Sequence, residues 1–382
     1  MDKSSGTKKF WNFCGGPSVI PDVVKEQAKE EFLSVDGSGH SMFEFNHRSP
    51  PFYKLQNEAK SNMREFLEIP DDFEILFFQG GSHLMFNSIG FNLFNTENPT
   101  CMNVVTGWWS FSTGSELSKY GTVHNVLPHV NRDNLAIHDV PAAKEWNVLP
   151  KADFVHYCDN ETGTGFEFNE NFPYHLFPDT PIVSDMSSNI GSKPIDWSKY
   201  GAVYACAQKN LGPTGVTVLI VRKSILKDPL PITPTSLSWK KASTSKENII
   251  NTPDVAAVYM MNLQLRNSLK EGGLPHFTKN AVDRTNILYN VIDESAGFYH
   301  NHVHGNYRSR MNVVFRVGGG NKDLEKKFIT EAKANGFFHI GGHHSVGGGS
   351  RISVYNSMPT DGVVAIAQFM KDFAAANRDA KL

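Results

Sequence analysis

The chain has 382 residues, 40% of them hydrophobic and 20% charged, enough for two domains that each bury a core. Its 37 basic and 39 acidic residues leave a formal charge of −2, so no basic excess points to nucleic acid and no acidic tail points to disorder. No run of about 18 apolar residues occurs, so no membrane helix is expected.

The polar start, residues 1–9, has no apolar stretch behind it and argues against a secretory signal. Four scattered cysteines, Cys14, Cys101, Cys158 and Cys206, form no Cys-x-x-Cys pair and fit a reduced cytosolic protein better than a disulfide scaffold or zinc finger. An extended arm over 10–20 carries Gly15-Gly16-Pro17. A helix is predicted over 21–33 with Pro21 in its first turn. Gly37, Ser38 and Gly39 read as a loop. His47-Arg48-Ser49 then precedes Pro50-Pro51, and the double proline is expected to stop regular structure and leave His47 and Arg48 on a loop. A helix follows over about 53–67.

A strand over 73–78 runs into Gly80-Gly81-Ser82-His83 and a helix from about 84. That order places free N–H groups and a positive helix end at the strand's carboxyl edge. The next strand, 102–105, closes on Thr106-Gly107-Trp108-Trp109 and leads to a helix over 112–120. Strands are predicted over 122–127 and 152–157, the second ending in Asn160-Glu161-Thr162-Gly163. Two more, over 181–185 and 202–207, end on Asp185 and on Gln208-Lys209, before the turn Gly212-Pro213 and a strand over 216–221. The alternation across 70–225 predicts a mostly parallel, doubly wound α/β sheet. Its candidate polar residues all follow strands, where open sheets gather ligands.

Residues 228–253 are rich in Pro, Ser and Thr and read as a long loop ending in Asn251-Thr252-Pro253. Helices over 254–269 and 277–293 lead to a smaller α+β unit. It has strands over 298–304, 311–317 and 350–355 and helices over 322–335 and 361–376.

Lys209 and Asp185 carry the chemistry. Most lysines are solvated surface residues. A lysine at the lip of a buried strand, with an aspartate ending the strand before it, is what pyridoxal phosphate asks of a protein: an amine for a Schiff base and an anion for the pyridinium nitrogen. Lys209 would then also act as general base, which requires that it spend part of its time neutral. Ser82 reads either as the N-cap of an ordinary turn or as part of a phosphate cradle. Trp109 reads as core or as the cover of an aromatic ring. Arg48 and Arg351 are candidate anion clamps, because the guanidinium fork matches carboxylate or phosphate. His343 and His344 fit anion binding better than zinc. His300, His302 and His304 alternate and are expected to share a solvated strand face, and no metal site is expected. Gly318-Gly319-Gly320 and Gly347-Gly348-Gly349 read as flexible turns.

Together these motifs resemble the phosphoserine aminotransferases, a class V group among the fold-type I pyridoxal phosphate enzymes. The resemblance runs nearly end to end. It covers Gly15-Gly16-Pro17, His47-Arg48-Ser49, Asn160-Glu161-Thr162, Ala207 to Pro213, Asn251-Thr252-Pro253, Arg308 to Val313, Gly342-His343 and Tyr355 to Pro359. It implies a three-layer α/β/α large domain over 21–270 and a smaller α+β domain formed by 1–20 and 271–382. It implies pyridoxal 5'-phosphate bound to Lys209, with Asp185 at the ring nitrogen, Trp109 over the ring and Thr162 at the ring oxygen. Ser82, His83 and Gln208 would hold the phosphate from one subunit and Asn251 and Thr252 from the other, so a cytoplasmic homodimer with shared sites is implied. His47, Arg48, His343, His344 and Arg351 would meet the substrate's anionic groups. The implied reaction interconverts phosphoserine and 2-oxoglutarate with 3-phosphohydroxypyruvate and glutamate. The alternative is a class V transaminase of the alanine–glyoxylate type. A cysteine desulfurase is disfavoured because no cysteine follows Cys206. At two places the chain has histidine where the group usually has arginine, His83 and His344. Each trades a permanent fork-shaped cation for a group whose charge depends on pH.

Overall fold

The computed structural model of the chain describes residues 9–127, 129–130, 132–133, 135–343 and 348–378. Seven strands build the central sheet: β1 Phe73–Phe78, β2 Thr100–Val104, β3 Thr122–Asn125, β4 Phe154–Cys158, β5 Ile182–Asp185, β6 Ala202–Cys206 and β7 Thr217–Arg222. Their spatial order is β1-β7-β6-β5-β4-β2-β3. β7 runs antiparallel to both neighbours, and the remaining pairs are parallel. The inner strands are largely apolar because helices cover both faces; every residue of β4, β5 and β6 is buried.

On one face lie α1 Asp22–Glu30, α2 Pro50–Leu67 and, from further along the chain, α6 Val255–Lys270. On the other lie α3 Gly81–Leu93, α4 Trp108–Leu117 and the short α5 Trp239–Thr244. Alternate residues of each strand serve the two cores: Val203 and Ala205 face the first, Ala202 and Tyr204 the second. The long α7 Gly273–Asp293 starts in the first core with Phe277 and ends in a third with Leu288 and Ile292. This third core packs α8 Lys322–Ala334 and α9 Thr360–Asn377 on an antiparallel sheet of β8 Tyr299–His300, β9 Asn312–Val317 and β10 Ser350–Ser353. The N-terminal arm joins it: Phe13 is part of that core, and Trp11–Asn12 pair in parallel with Phe337–Phe338.

Several expectations need correction. The double proline starts α2 rather than stopping structure, since proline lacks only an N–H that a first helical turn leaves unpaired anyway. Ser82 is not a cap: Gly80, at φ 99°, closes the turn and Ser82 sits in the first turn of α3. α4 begins at Trp108 instead of 112, so Trp109 is a helical residue. The loop predicted over 228–253 holds α5, capped where Ser238 Oγ accepts the Lys241 N–H at 3.1 Å. The strand expected over 298–304 ends at His300, so the three histidines share no strand face, and His302 is half-buried. Gly318–Gly320 form a single 3₁₀ turn. Gly348 and Gly349 both have positive φ, and the Gly349 N–H reaches the Glu325 carboxylate at 3.2 Å; Gly347 lies outside the described residues.

Candidate active site

β5 and β6 run side by side, with Asp185 opposite Tyr204. The chain leaves β6 through a tight turn in which the Leu211 and Gly212 N–H groups both donate to the Ala207 carbonyl, at 3.0 and 2.8 Å. That turn lifts Lys209 over the sheet edge. Its Nζ donates to Thr162 Oγ1 at 2.8 Å and stands 5.8 Å from the centre of the Trp109 ring. Asn210, next in sequence, ties the turn down: its Nδ2 donates to the Ile190 carbonyl, and its Oδ1 accepts the Asn356 N–H.

Asp185 is buried, and its Oδ1 accepts the Ser187 N–H at 2.8 Å. Burial pushes its carboxyl up, while the Ser187 hydroxyl and N–H, the Lys209 cation and the Tyr204 hydroxyl pull it down. Behind it, His156 bridges Tyr204 OH and Asn103 Oδ1, each at 3.0 Å. Burial holds the imidazole down to about 3, so it is neutral.

Lys209, Thr162, Trp109, Asp185 and Ser187 line one cavity of about 240 Å³. Of the residues singled out from sequence, Ser82, Trp109, Thr162, Asp185, Gln208, Lys209, His343 and Arg351 meet there. The His343 ring sits 6.2 and 6.4 Å from the Trp108 and Trp109 rings. His83 stands at the margin, exposed, its ring edge-on to Trp109 at 5.9 Å. His47, Arg48, Asn251 and Thr252 lie outside the cavity. Arg48, Asn251 and Thr252 are exposed, and Asn251 Nδ2 makes a long 3.5 Å contact with Gln79 Oε1. His344 lies outside the described residues.

The arm contributes more than its sequence announced. Gly15 and Gly16 line the cavity. A Cβ on Gly16 would lie 3.3 Å from Lys209 Cγ, and its φ of 128° suits glycine. The arm is pinned by Ser18 N–H to the Gln208 carbonyl and by Tyr355 OH to the Gly15 carbonyl, each at 2.9 Å. Cys158, Asn160, Ser187 and Ser188 also line the wall; their sequence signal was adjacency to Asp185 and Thr162.

The residues present fit pyridoxal phosphate. The cavity offers an amine, a buried carboxylate for a ring nitrogen, an indole face, and the first turn of α3 with Ser82 for a phosphate. Among the described residues, Trp109 Nε1 and Arg351 Nε are buried there without a hydrogen-bond partner, so the wall keeps polar capacity to spare. Among the described residues no cluster of three or more His, Cys, Asp or Glu is arranged for a metal ion, and no helix is long and apolar enough to cross a membrane.

Residues 10–366 match the family of class-V aminotransferases. The phosphoserine aminotransferase of Drosophila melanogaster is 38% identical over 96% of this chain and 99% of its own length. A solved structure of a phosphoserine aminotransferase, described by radiation damage of its Schiff base, superposes with a TM-score of 0.90 at 34% identity, covering 97% of this chain and 100% of that one. The pyridoxal phosphate-bound phosphoserine aminotransferase of Trichomonas vaginalis gives 0.88 at 33% identity over 95% and 100% of the two chains.

Proposed function

The chain belongs to the class-V aminotransferases, with their fold-type I architecture, and from that premise we propose that it is a pyridoxal 5'-phosphate-dependent phosphoserine:2-oxoglutarate transaminase of serine biosynthesis. The observation that carries this is the position of Lys209 Nζ, bonded to Thr162, beneath the Trp109 ring and beside the buried Asp185.

When bound, pyridoxal phosphate supplies an aldehyde that binds amines reversibly and a protonated ring that takes up electrons. Lys209 Nζ would hold the aldehyde carbon. Asp185 would keep the proton on the ring nitrogen; a cation at that point offsets the burial that pushes its carboxyl up. Trp109 would cover the ring, and Thr162 Oγ1 would meet the ring oxygen. Ser82, His83 and Gln208, at the first turn of α3 and the end of β6, would hold the phosphate. Lys209, the one amine in the cavity wall among the described residues, would be placed to move the proton from the substrate Cα. Arg351 and His343 would bind the substrate's anionic groups, joined by His344.

We place His47, Arg48, Asn251 and Thr252 in the site of a second copy of the chain. Their position outside this chain's own cavity supports that assignment. So does the exposed cluster of Phe32, Leu33 and Phe43, in which Leu33 is 78% exposed. The two-domain division, 21–270 against 1–20 with 271–382, is supported by the core that joins Phe13 to Leu288 and Phe373. Four free thiols, three of them buried, agree with a cytoplasmic location.

The test mixes loaded protein with phosphoserine, serine, alanine and aspartate in turn and follows the visible absorbance. A change with phosphoserine alone is expected. An equal response to alanine would sink the substrate assignment.

A further inference from the structure

Glu161 is a buried titratable group that the chemistry above leaves unused. It has no exposed surface, and its carboxylate accepts three hydrogen bonds. These come from the Trp109 N–H at 3.0 Å, the Ser110 N–H at 2.9 Å and the Ser110 hydroxyl at 2.6 Å. All three donors belong to the first turn of α4, so the positive end of that helix stands where a buried carboxylate needs a partner. Ser110 Oγ in turn accepts the N–H groups of Thr106 and Gly107, at 2.8 and 3.1 Å. The approach is close enough to exclude a side chain at Gly107, where a Cβ would fall 2.5 Å from Glu161 Cδ. The same carboxylate is one residue from Thr162, whose hydroxyl receives the Lys209 hydrogen bond.

We propose that Glu161 is a positioning residue that holds the Trp109 indole and the Thr162 hydroxyl in register on either side of Lys209 Nζ, so that the cavity is preformed for the ring of pyridoxal phosphate. The proposal rests on the cofactor reading of that cavity. Plain capping of α4 would stabilise the helix without acting through Trp109.

The test titrates pyridoxal phosphate into the apoproteins of the wild type, Glu161→Gln, Trp109→Ala and the double variant, and reads thermal stability alongside. Glutamine keeps the volume but sets an amide N–H₂ against backbone donors. It is expected to weaken cofactor binding about tenfold in the wild-type background. In the Trp109→Ala background the loss should be clearly smaller, because the two residues act as a unit. Unchanged affinity, or the same loss in both backgrounds, would overturn the proposal whatever happens to stability. If Glu161→Gln does not fold, Ser110→Ala removes one donor in the same cycle: a loss coupled to Trp109 supports the role, and unchanged affinity overturns it. Wild-type protein that takes up no cofactor would instead bring down the reading of the cavity, and this proposal with it.

Discussion

A methyl group at position 15 would collide with Arg351, its carbon falling 2.5 Å from the guanidinium Cζ. The guanidinium is the movable end of that contact, so Gly15→Ala should swing it out of the cavity and leave the fold intact. Steady-state kinetics are expected to show KM for phosphoserine or 2-oxoglutarate raised about tenfold, with the thermal midpoint unchanged. His156 makes a different prediction. Its folded pKa is depressed, to about 3 from 6.5, by burial. Below 6.5 the unfolded chain takes up a proton that the folded chain refuses, so stability falls as pH falls from 6.5 toward 3. The loss attributable to this residue is about 1.4 kcal/mol per pH unit. Urea unfolding at pH 5 and pH 6.5 should therefore show a flatter dependence in His156→Gln. Lys209 and Asp185 were legible from sequence because each ends an apolar run and its role follows from that local position. Glu161 was not, because its partners Trp109 and Ser110 are far away in sequence and only the fold brings them together.

Helix α2 does more than cover the sheet. Gln56 Nε2 donates to the Glu247 carbonyl at 2.5 Å, Asn57 Nδ2 to Glu247 Oε2 at 2.8 Å, and Lys60 Nζ to Asn248 Oδ1. Glu247 and Asn248 are both left-handed, at φ 53° and 58°, and residues without a glycine's freedom need such support. The clamped pair precedes Asn251 and Thr252, while the start of α2 follows His47 and Arg48. One helix thus fixes both segments assigned to the second subunit's site. Lys60 is costly to bury, and its amine is pushed down to about 8. Lys60→Met should consequently change stability little, yet weaken pyridoxal phosphate binding by the apoprotein about tenfold through the loosened 247–252 segment. At this scale the sequence located the strands of the central sheet to within a residue or two, since those buried strands are largely apolar. It could not reveal that β7 runs antiparallel, because an apolar run reads the same in either direction. Nor could it reveal the early start of α4, whose first N–H groups are met by the Glu161 carboxylate just past the end of β4.

At the scale of the whole molecule, one chain brings together the residues around Lys209 but leaves Arg48, Asn251 and Thr252 exposed elsewhere. The site proposed above calls for two copies, with Lys209 supplied by one and the anion contacts completed by the other. A two-fold dimer makes this testable. Lys209→Ala and Arg48→Ala chains are each expected to be inactive on phosphoserine alone. Co-expressed, they form hybrids in which one site carries both changes and the other carries neither, so the mixture should recover about one quarter of wild-type transaminase activity. Activity no greater than that of the separate variants, in a preparation shown to contain hybrids, would contradict a site built around Lys209 and shared between two chains.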